Sequence, residues 1–194
     1  MKASRLLFTL TTACSLFIGS AFVTAGTTSA VPPLVSPHDS LDKIVQALAR
    51  AHDVPASAAA SSGLSALTRR ELAQARRATA KYHDLANALA DGYVDGNFHT
   101  PGEGHHYVNP LLIDGTFNPE QPEVLLYASR PGEAGLKLVA VEYVVPNTFP
   151  VPEGFSGDDD VWQSEEPLPI WVLNAWIWLN NPNGIFTFLN PRVP

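Results

Sequence analysis

Apolar residues recur at helical spacing in the first half of the chain and alternate with other residues in the second half. The first helical stretch, residues 41 to 52, reads "LDKIVQALARAH" and follows Ser40, which can cap a helix. One apolar stripe runs along it. Its members are Leu41, Ile44, Val45 and Leu48.

A longer helix is predicted to begin at Thr68 and to end near Gly92. The "TRRE" sequence has the form of a capping box, in which the Thr68 hydroxyl accepts from the Glu71 amide and the carboxylate reaches back. Glycine near the end of a helical pattern is a typical stop signal. The predicted buried face comprises Leu72, Ala75, Thr79, Tyr82, Ala86, Leu89 and Tyr93.

Beyond Gly92 the apolar period falls to two, which predicts strands. The "RPGEAG" turn is short enough for a hairpin, so at least the two strands around it are expected to be antiparallel. Helices followed by strands predict an α+β fold, with the long helix covering a small, mainly antiparallel sheet. The predicted strands are Gly104–Asn109, Glu123–Ser129, Leu136–Val145 and Ile170–Leu179.

The first 30 residues have the order of a secretory signal peptide: basic residues, an apolar run, then small residues. Cleavage is expected after Ala25 or Ala30. We therefore expect export, to the medium or the cell envelope, and no stable membrane span after cleavage. Residues 31–63 are expected to form a proline-, alanine- and serine-rich segment with the short helix, and 64–194 a single globular domain. Lipidation at Cys14 is the less favoured alternative.

The charge of the chain excludes one class of partner. It contains 12 Lys and Arg against 19 Asp and Glu, a net charge of −7. Loss of Lys2 and Arg5 with the signal peptide changes this to −9. Because such a domain is repelled by phosphate backbones, nucleic acid is not expected as a partner. A small molecule is a possible partner, and the oligomeric state is not indicated.

Glu142 is the first candidate for chemistry, because strand alternation places it in a row with Leu138, Ala140 and Val144. An unpartnered carboxylate in an apolar row costs several kcal/mol, roughly 2–7 before its charge is counted. Glu142 therefore has a cation, a metal or hydrogen-bond donors beside it, or its row is the wall of a cavity. The alternatives are a structural ion pair and an edge position that faces water.

The second candidate is the stretch "PGEGHHYVNP", residues 101 to 110. Its glycines permit a tight turn into a strand. His105 and His106 then point to opposite faces and are not expected to bind one metal together. His106 could pair with Glu142, or hydrogen-bond to the backbone. His99 could complete a site if the chain bends, and "GDDD" with "EE", residues 157 to 166, could bind calcium or be a solvated loop.

Four segments together resemble an uncharacterised family of secreted bacterial and fungal hypothetical proteins. They are "ATAKYHDLANALADGYVD", "GEGHHYVNPLLIDGTFNPEQPEVLLY", "LKLVAVEYVV" and "AWIW…NPNGIF…NPRV", covering residues 78 to 194. The family motif G-x-G-x-H-Y-x-N-P matches Gly102, Gly104, His106, Tyr107, Asn109 and Pro110. The resemblance supplies no known activity.

The resemblance implies a third site residue, at position 174. The family's tryptophan-rich strand reads E-L-H-A-W-x-W, whereas "VLNAWIW" here has Asn174 at the histidine and Val172 at the acid. Two histidines and a glutamate would suit a divalent metal ion. Asparagine is a poor ligand for zinc, iron or copper, although it can bind calcium or hydrogen-bond. The candidate metal ligands are therefore His106, Glu142 and Asn174.

Two functions follow as hypotheses. In the first, the protein is an exported, enzyme-like domain in which His106, Glu142, Asn174 and Tyr107 line a cavity that holds a divalent metal or uses Glu142 as general base, oriented by His106. In the second, it is a non-catalytic exported module that binds a small ligand or a surface. The tryptophans at 162, 171, 176 and 178 would serve that binding, or they fill the core.

Overall fold

A computed structural model describes residues 63–164 and 169–194. The predicted signal peptide, the predicted helix at 41–52 and nearly all of the proline-, alanine- and serine-rich segment at 31–63 therefore lie outside the described residues. Helix α1 spans Ala66–Thr79, a 3₁₀ helix spans Ala80–His83 and α2 spans Leu85–Ala90. The strands are β1 (Val94–Thr100), β2 (Gly104–Val108), β3 (Val124–Ser129), β4 (Leu136–Pro146) and β5 (Ile170–Ala175).

The five strands form one antiparallel sheet in the order β1-β2-β3-β4-β5. The α+β class is thus confirmed, and so is the antiparallel pairing around the "RPGEAG" turn. β1 was not predicted. Its pattern has little apolar alternation, because most of its side chains are exposed and its pairing with β2 is interrupted between Asp95 and His99.

The start of α1 differs from the predicted capping box. Ser65 is the N-cap, and its hydroxyl accepts from the Thr68 amide at 3.0 Å. Glu71 instead accepts from the amide and the hydroxyl of Ser156, at 2.7 Å each. The Thr68 hydroxyl donates to the Ser156 carbonyl. The TRRE residues therefore join α1 to a distant loop.

The predicted long helix is divided at Asp84, whose backbone is extended and whose carboxylate accepts from the Ala86 amide at 3.0 Å. Aspartate competes with helical hydrogen bonding in this way and so begins α2 as its cap. The predicted stop at Gly92 is confirmed. Gly92 has φ +94°, and the Tyr93 amide donates back to the Ala88 carbonyl at 3.0 Å.

Both faces of the sheet are covered. On one face, residues of β3 and β4 pack against Leu72 and Ala75 of α1, Tyr82 of the 3₁₀ helix and Ala88 of α2. We call this the helix face. The opposite face packs against Phe188 and Val193 near the C-terminus, and we call it the C-terminal face. Each of these covers excludes water from the strands beneath it.

The alternation predicted for β4 fails at its beginning. The β3–β4 register shifts between Leu126, which faces Ala140, and Tyr127, which faces Leu138. Such a shift turns the preceding side chains to the other face. As a result Leu138 belongs to the helix face, while Ala140 and Val144 belong to the C-terminal face.

β5 ends at Ala175, four residues before the predicted end. The Trp176 amide donates to the Ile185 carbonyl at 2.8 Å rather than continuing the ladder. A strand that continued to Leu179, as predicted, would place Trp176 and Trp178 on the same row, but Trp178 lies with the helix-face residues. Its indole nitrogen donates to the Thr79 hydroxyl at 3.1 Å.

Candidate functional site

Three polar residues that the sequence singled out meet on the C-terminal face. Glu142 of β4 faces Asn174 of β5 in register, and His106 of β2 faces Leu126. The side-chain distance between His106 Nε2 and Glu142 Oε2 is 3.6 Å. All three residues have zero solvent exposure.

Glu103 is a fourth member, and sequence reasoning missed it. Its Oε2 lies 3.4 Å from His106 Nε2, and its Oε1 accepts from the Asn174 amide at 2.9 Å. Glu103 is fully buried as well. The available signal was an acid between Gly102 and Gly104, three residues before His106. We call Glu103, His106, Glu142 and Asn174 the polar tetrad.

The glycine turn before β2 positions Glu103. Gly104 has φ +99°, and a Cβ atom there would lie 2.3 Å from the Tyr127 carbonyl oxygen. Gly102 has φ +89°, and a Cβ atom there would lie 3.2 Å from the Leu189 side chain. Only glycine tolerates both the conformation and the close approach. The turn therefore inserts Glu103 beneath the C-terminal segment.

Aromatic and backbone groups enclose the tetrad. The Phe98 ring stacks on His106 with a centroid separation of 4.3 Å and an interplanar angle of 27°. The Asn174 amide also donates to the Phe188 carbonyl at 3.3 Å. These contacts leave the four side chains out of reach of solvent.

Electrostatics in this enclosure disfavour a second negative charge. Burial, and after it the Glu103 carboxylate, raises the pKa of Glu142 well above its usual range. Neither oxygen of Glu142 has a hydrogen-bond partner among the described residues. Two neighbouring carboxyl groups in an apolar site cannot both ionise readily, which favours the protonated form of Glu142. In that state it can donate a proton and is not ready to act as the general base.

A second buried acid was also missed. Glu123, immediately before β3, is 2% exposed and accepts from the Val144 amide at 3.0 Å. Burial raises its pKa to about 8. Glu123 was the first residue of a predicted strand, a position at which an acid is ordinarily exposed. The sequence around it therefore did not indicate that it is buried.

The remaining sequence candidates lie elsewhere. Tyr107 is on the helix face, with its ring 5.1 Å from that of Tyr127, and does not line the tetrad. His99 and His105 pair with each other across β1 and β2, with ring centroids 4.8 Å apart. Neither completes a site with His106, because both point away from the C-terminal face. Asn109 is structural, since its amide donates to the Asp91 carbonyl at 3.0 Å.

The described residues do not provide a set of metal ligands. Within 63–164 and 169–194, no group of three or more His, Cys, Asp and Glu side chains is arranged to hold a metal ion. In the acidic loop, Asp160 accepts from the Phe155 amide at 2.8 Å, and residues 165 and 166 lie outside the described part. Binding of a divalent metal by His106, Glu142 and Asn174 stays a prediction.

A separate, open concavity lies between α1 and the residues after β5. Its volume is about 420 Å³, within the range of small-ligand sites. We call it the α1 groove. Its walls are mostly apolar, and two arginines, Arg69 and Arg76, extend from α1 at its edge. The apolar and aromatic lining includes Leu72, Ala73, Trp176, Ile177, Trp178 and Ile185.

Comparisons with known proteins add no assignment. No protein-family model, no curated protein and no solved structure matches the chain. Among the described residues, no helix is both long and apolar enough to cross a membrane.

Proposed function

We propose that this protein is an exported, non-catalytic module that binds a small molecule in the α1 groove, through the apolar surface of that molecule. The observation that carries the proposal is the contrast between two sites. The polar tetrad is sealed, with four side chains at zero exposure, whereas the groove is open. A ligand can reach the groove without any rearrangement of the core.

The groove has the construction expected of a binding site. Leu72, Trp176 and Ile177 are 5%, 3% and 4% exposed, so its floor is part of the packed core and is already formed. A preformed apolar floor lowers the ordering cost of binding. Aromatic walls offer large contact areas with little side-chain entropy to lose. Export is supported by the order of basic, apolar and small residues in the first 30 positions.

The test uses two naphthalene dyes that differ only in a sulfonate: 1-anilinonaphthalene-8-sulfonate and the neutral N-phenyl-1-naphthylamine. Trp176 and Trp178 line the groove, so a bound dye should quench tryptophan emission by energy transfer. Ala73→Phe should fill the groove and weaken binding of whichever dye binds by at least about tenfold, or 1.4 kcal/mol.

The matched control is Ala78→Phe, because Ala78 lies on the same helix but outside the groove lining. It should leave dye affinity within about twofold of the unchanged protein, a difference of less than 0.5 kcal/mol. The proposal fails if neither dye binds, or if Ala73→Phe binds both dyes as well as the unchanged protein.

The convergence of the polar tetrad favours a second candidate function, acid–base catalysis. A protonated Glu142 beside His106 would act as the proton donor, provided that the C-terminal cover opens to admit a substrate. Hydrolysis of a broad panel of ester, amide and glycoside substrates, lost in Glu142→Gln, would support it. The absence of turnover in the unchanged protein would reject it on that panel.

A further inference from the structure

The α1 groove combines an apolar floor with positive charge on a protein whose overall charge is negative. The chain carries −7, yet both ionisable side chains that line the groove are arginines. Arg69 and Arg76 are seven residues apart on α1, which places them on one helix face about 10 Å apart along the axis. Positive charge is therefore concentrated along one side of the groove.

Arg69 and Arg76 both have N–H donors that are available to bind a ligand. Among the described residues, no carboxylate forms an ion pair with either guanidinium. Arg69 donates to the Leu64 carbonyl. A guanidinium has five N–H donors, so a single bond to a carbonyl leaves most of them for an anion. Their planar fork matches the oxygens of a carboxylate or sulfonate.

Arg76 is held in place beside the aromatic wall. Its guanidinium carbon lies 5.2 Å from the centroid of the Trp178 ring. That ring is in turn fixed, because its nitrogen donates to Thr79. A cation stacked on an oriented indole loses less freedom when it binds an anion than a free side chain does.

We propose that the α1 groove binds a small organic anion, with its flat apolar body against the half-buried Ala73, Trp178 and Ile185 and its acidic group on Arg69 and Arg76. The inference rests on the proposed binding function and names the ligand class for that site. Charge complementarity distinguishes this ligand from a neutral apolar one, for which the arginines would be superfluous.

The dye pair isolates the contribution of the acidic group, because both dyes share the same ring system. We expect the sulfonate dye to bind at least about tenfold more tightly than the neutral dye. The double variant Arg69→Gln/Arg76→Gln should bind the sulfonate dye about tenfold more weakly than the unchanged protein does. It should leave neutral-dye affinity within about twofold.

The matched control is Arg70→Gln/Arg77→Gln. It removes the same charge from the same helix at two exposed positions, with the same seven-residue spacing, outside the groove. This control should leave both dye affinities within about twofold. Circular dichroism of both double variants should match that of the unchanged protein, so that a loss of binding reports on the site.

Two results would overturn the inference while leaving the proposed function intact. One is equal affinity for the two dyes, with both sensitive to Ala73→Phe. The other is an equal loss of sulfonate-dye binding in the Arg70/Arg77 control, which would show a general charge effect. Failure of both dyes to bind would instead remove the proposed function itself.

Discussion

At the scale of single residues, Asn174 links the polar tetrad to the C-terminal segment. Its amide donates to Glu103 and to the Phe188 carbonyl, so it organises the site rather than presenting an imidazole. Position 174 is also the register partner of Glu142. A side chain at this position is therefore directed at the two carboxyl groups of the tetrad.

We predict that Asn174→His raises zinc affinity at least about tenfold, because it adds a second imidazole to one histidine and two carboxylates. Isothermal titration with zinc alone measures the change. Asn174→Gln is the control, since it keeps an amide and adds no imidazole. Zinc affinity unchanged by Asn174→His, or raised equally by Asn174→Gln, would end the metal hypothesis for this site.

At the scale of elements, the turn between β1 and β2 depends on backbone geometry more than on side-chain contacts. A Cβ atom at Gly104 would clash with the Tyr127 carbonyl of the neighbouring strand, and one at Gly102 would crowd Leu189 of the C-terminal segment. The same turn carries Glu103 into the tetrad. The turn between β1 and β2 thus places an additional carboxyl group in the core.

Gly104→Ala should destabilise the fold by roughly 3 kcal/mol or more, because a positive φ is combined with a clash against backbone. Gly132→Ala tests φ alone: Gly132 has φ +79°, and a Cβ there would meet nothing within 4 Å. It should cost roughly 1 kcal/mol. Urea unfolding gives both values, and equal losses would show that the close approach to Tyr127 is unimportant.

At the scale of the whole molecule, buried acids make stability depend on pH. The pKa of Glu123 is raised from an ordinary 4.5 to about 8 in the folded protein, and the pKa of Glu142 is raised too. Above pH 4.5 the unfolded chain releases the Glu123 proton while the folded chain keeps it. The folded state then binds more protons, so its stability falls as pH rises.

Accordingly, the free energy of unfolding should decrease from pH 5 to pH 8. Glu123→Gln should reduce this slope by up to about 1.4 kcal/mol per pH unit, the limit for one titrating group. Glutamine still offers an oxygen to the Val144 amide. Denaturant melts across this range provide the measurement, with the exposed Glu120→Gln as control. Parallel curves for the unchanged protein and Glu123→Gln would contradict the assignment.

Local sequence patterns determined the class of fold and most of the strands. Alternation over residues 124 to 145 and the short turn within them require an antiparallel pair, and Gly92 ends its helix as a glycine stop does. The position of Glu142 among apolar residues on its strand also indicated that its carboxyl group needs a polar partner. These features depend on near neighbours in the chain, which is why they could be predicted.

Tertiary structure decided which residues contact Glu142 and the other buried polar side chains. Glu103 joins the tetrad because a glycine turn inserts it under a segment more than 80 residues away, and Glu71 binds Ser156 across 85 residues. The β3–β4 register shift reverses the faces of Leu136 and Leu138 without a mark in the sequence. The α1 groove likewise forms between elements distant in the chain. Contacts of this kind arise from packing, and local periodicity carries no information about them.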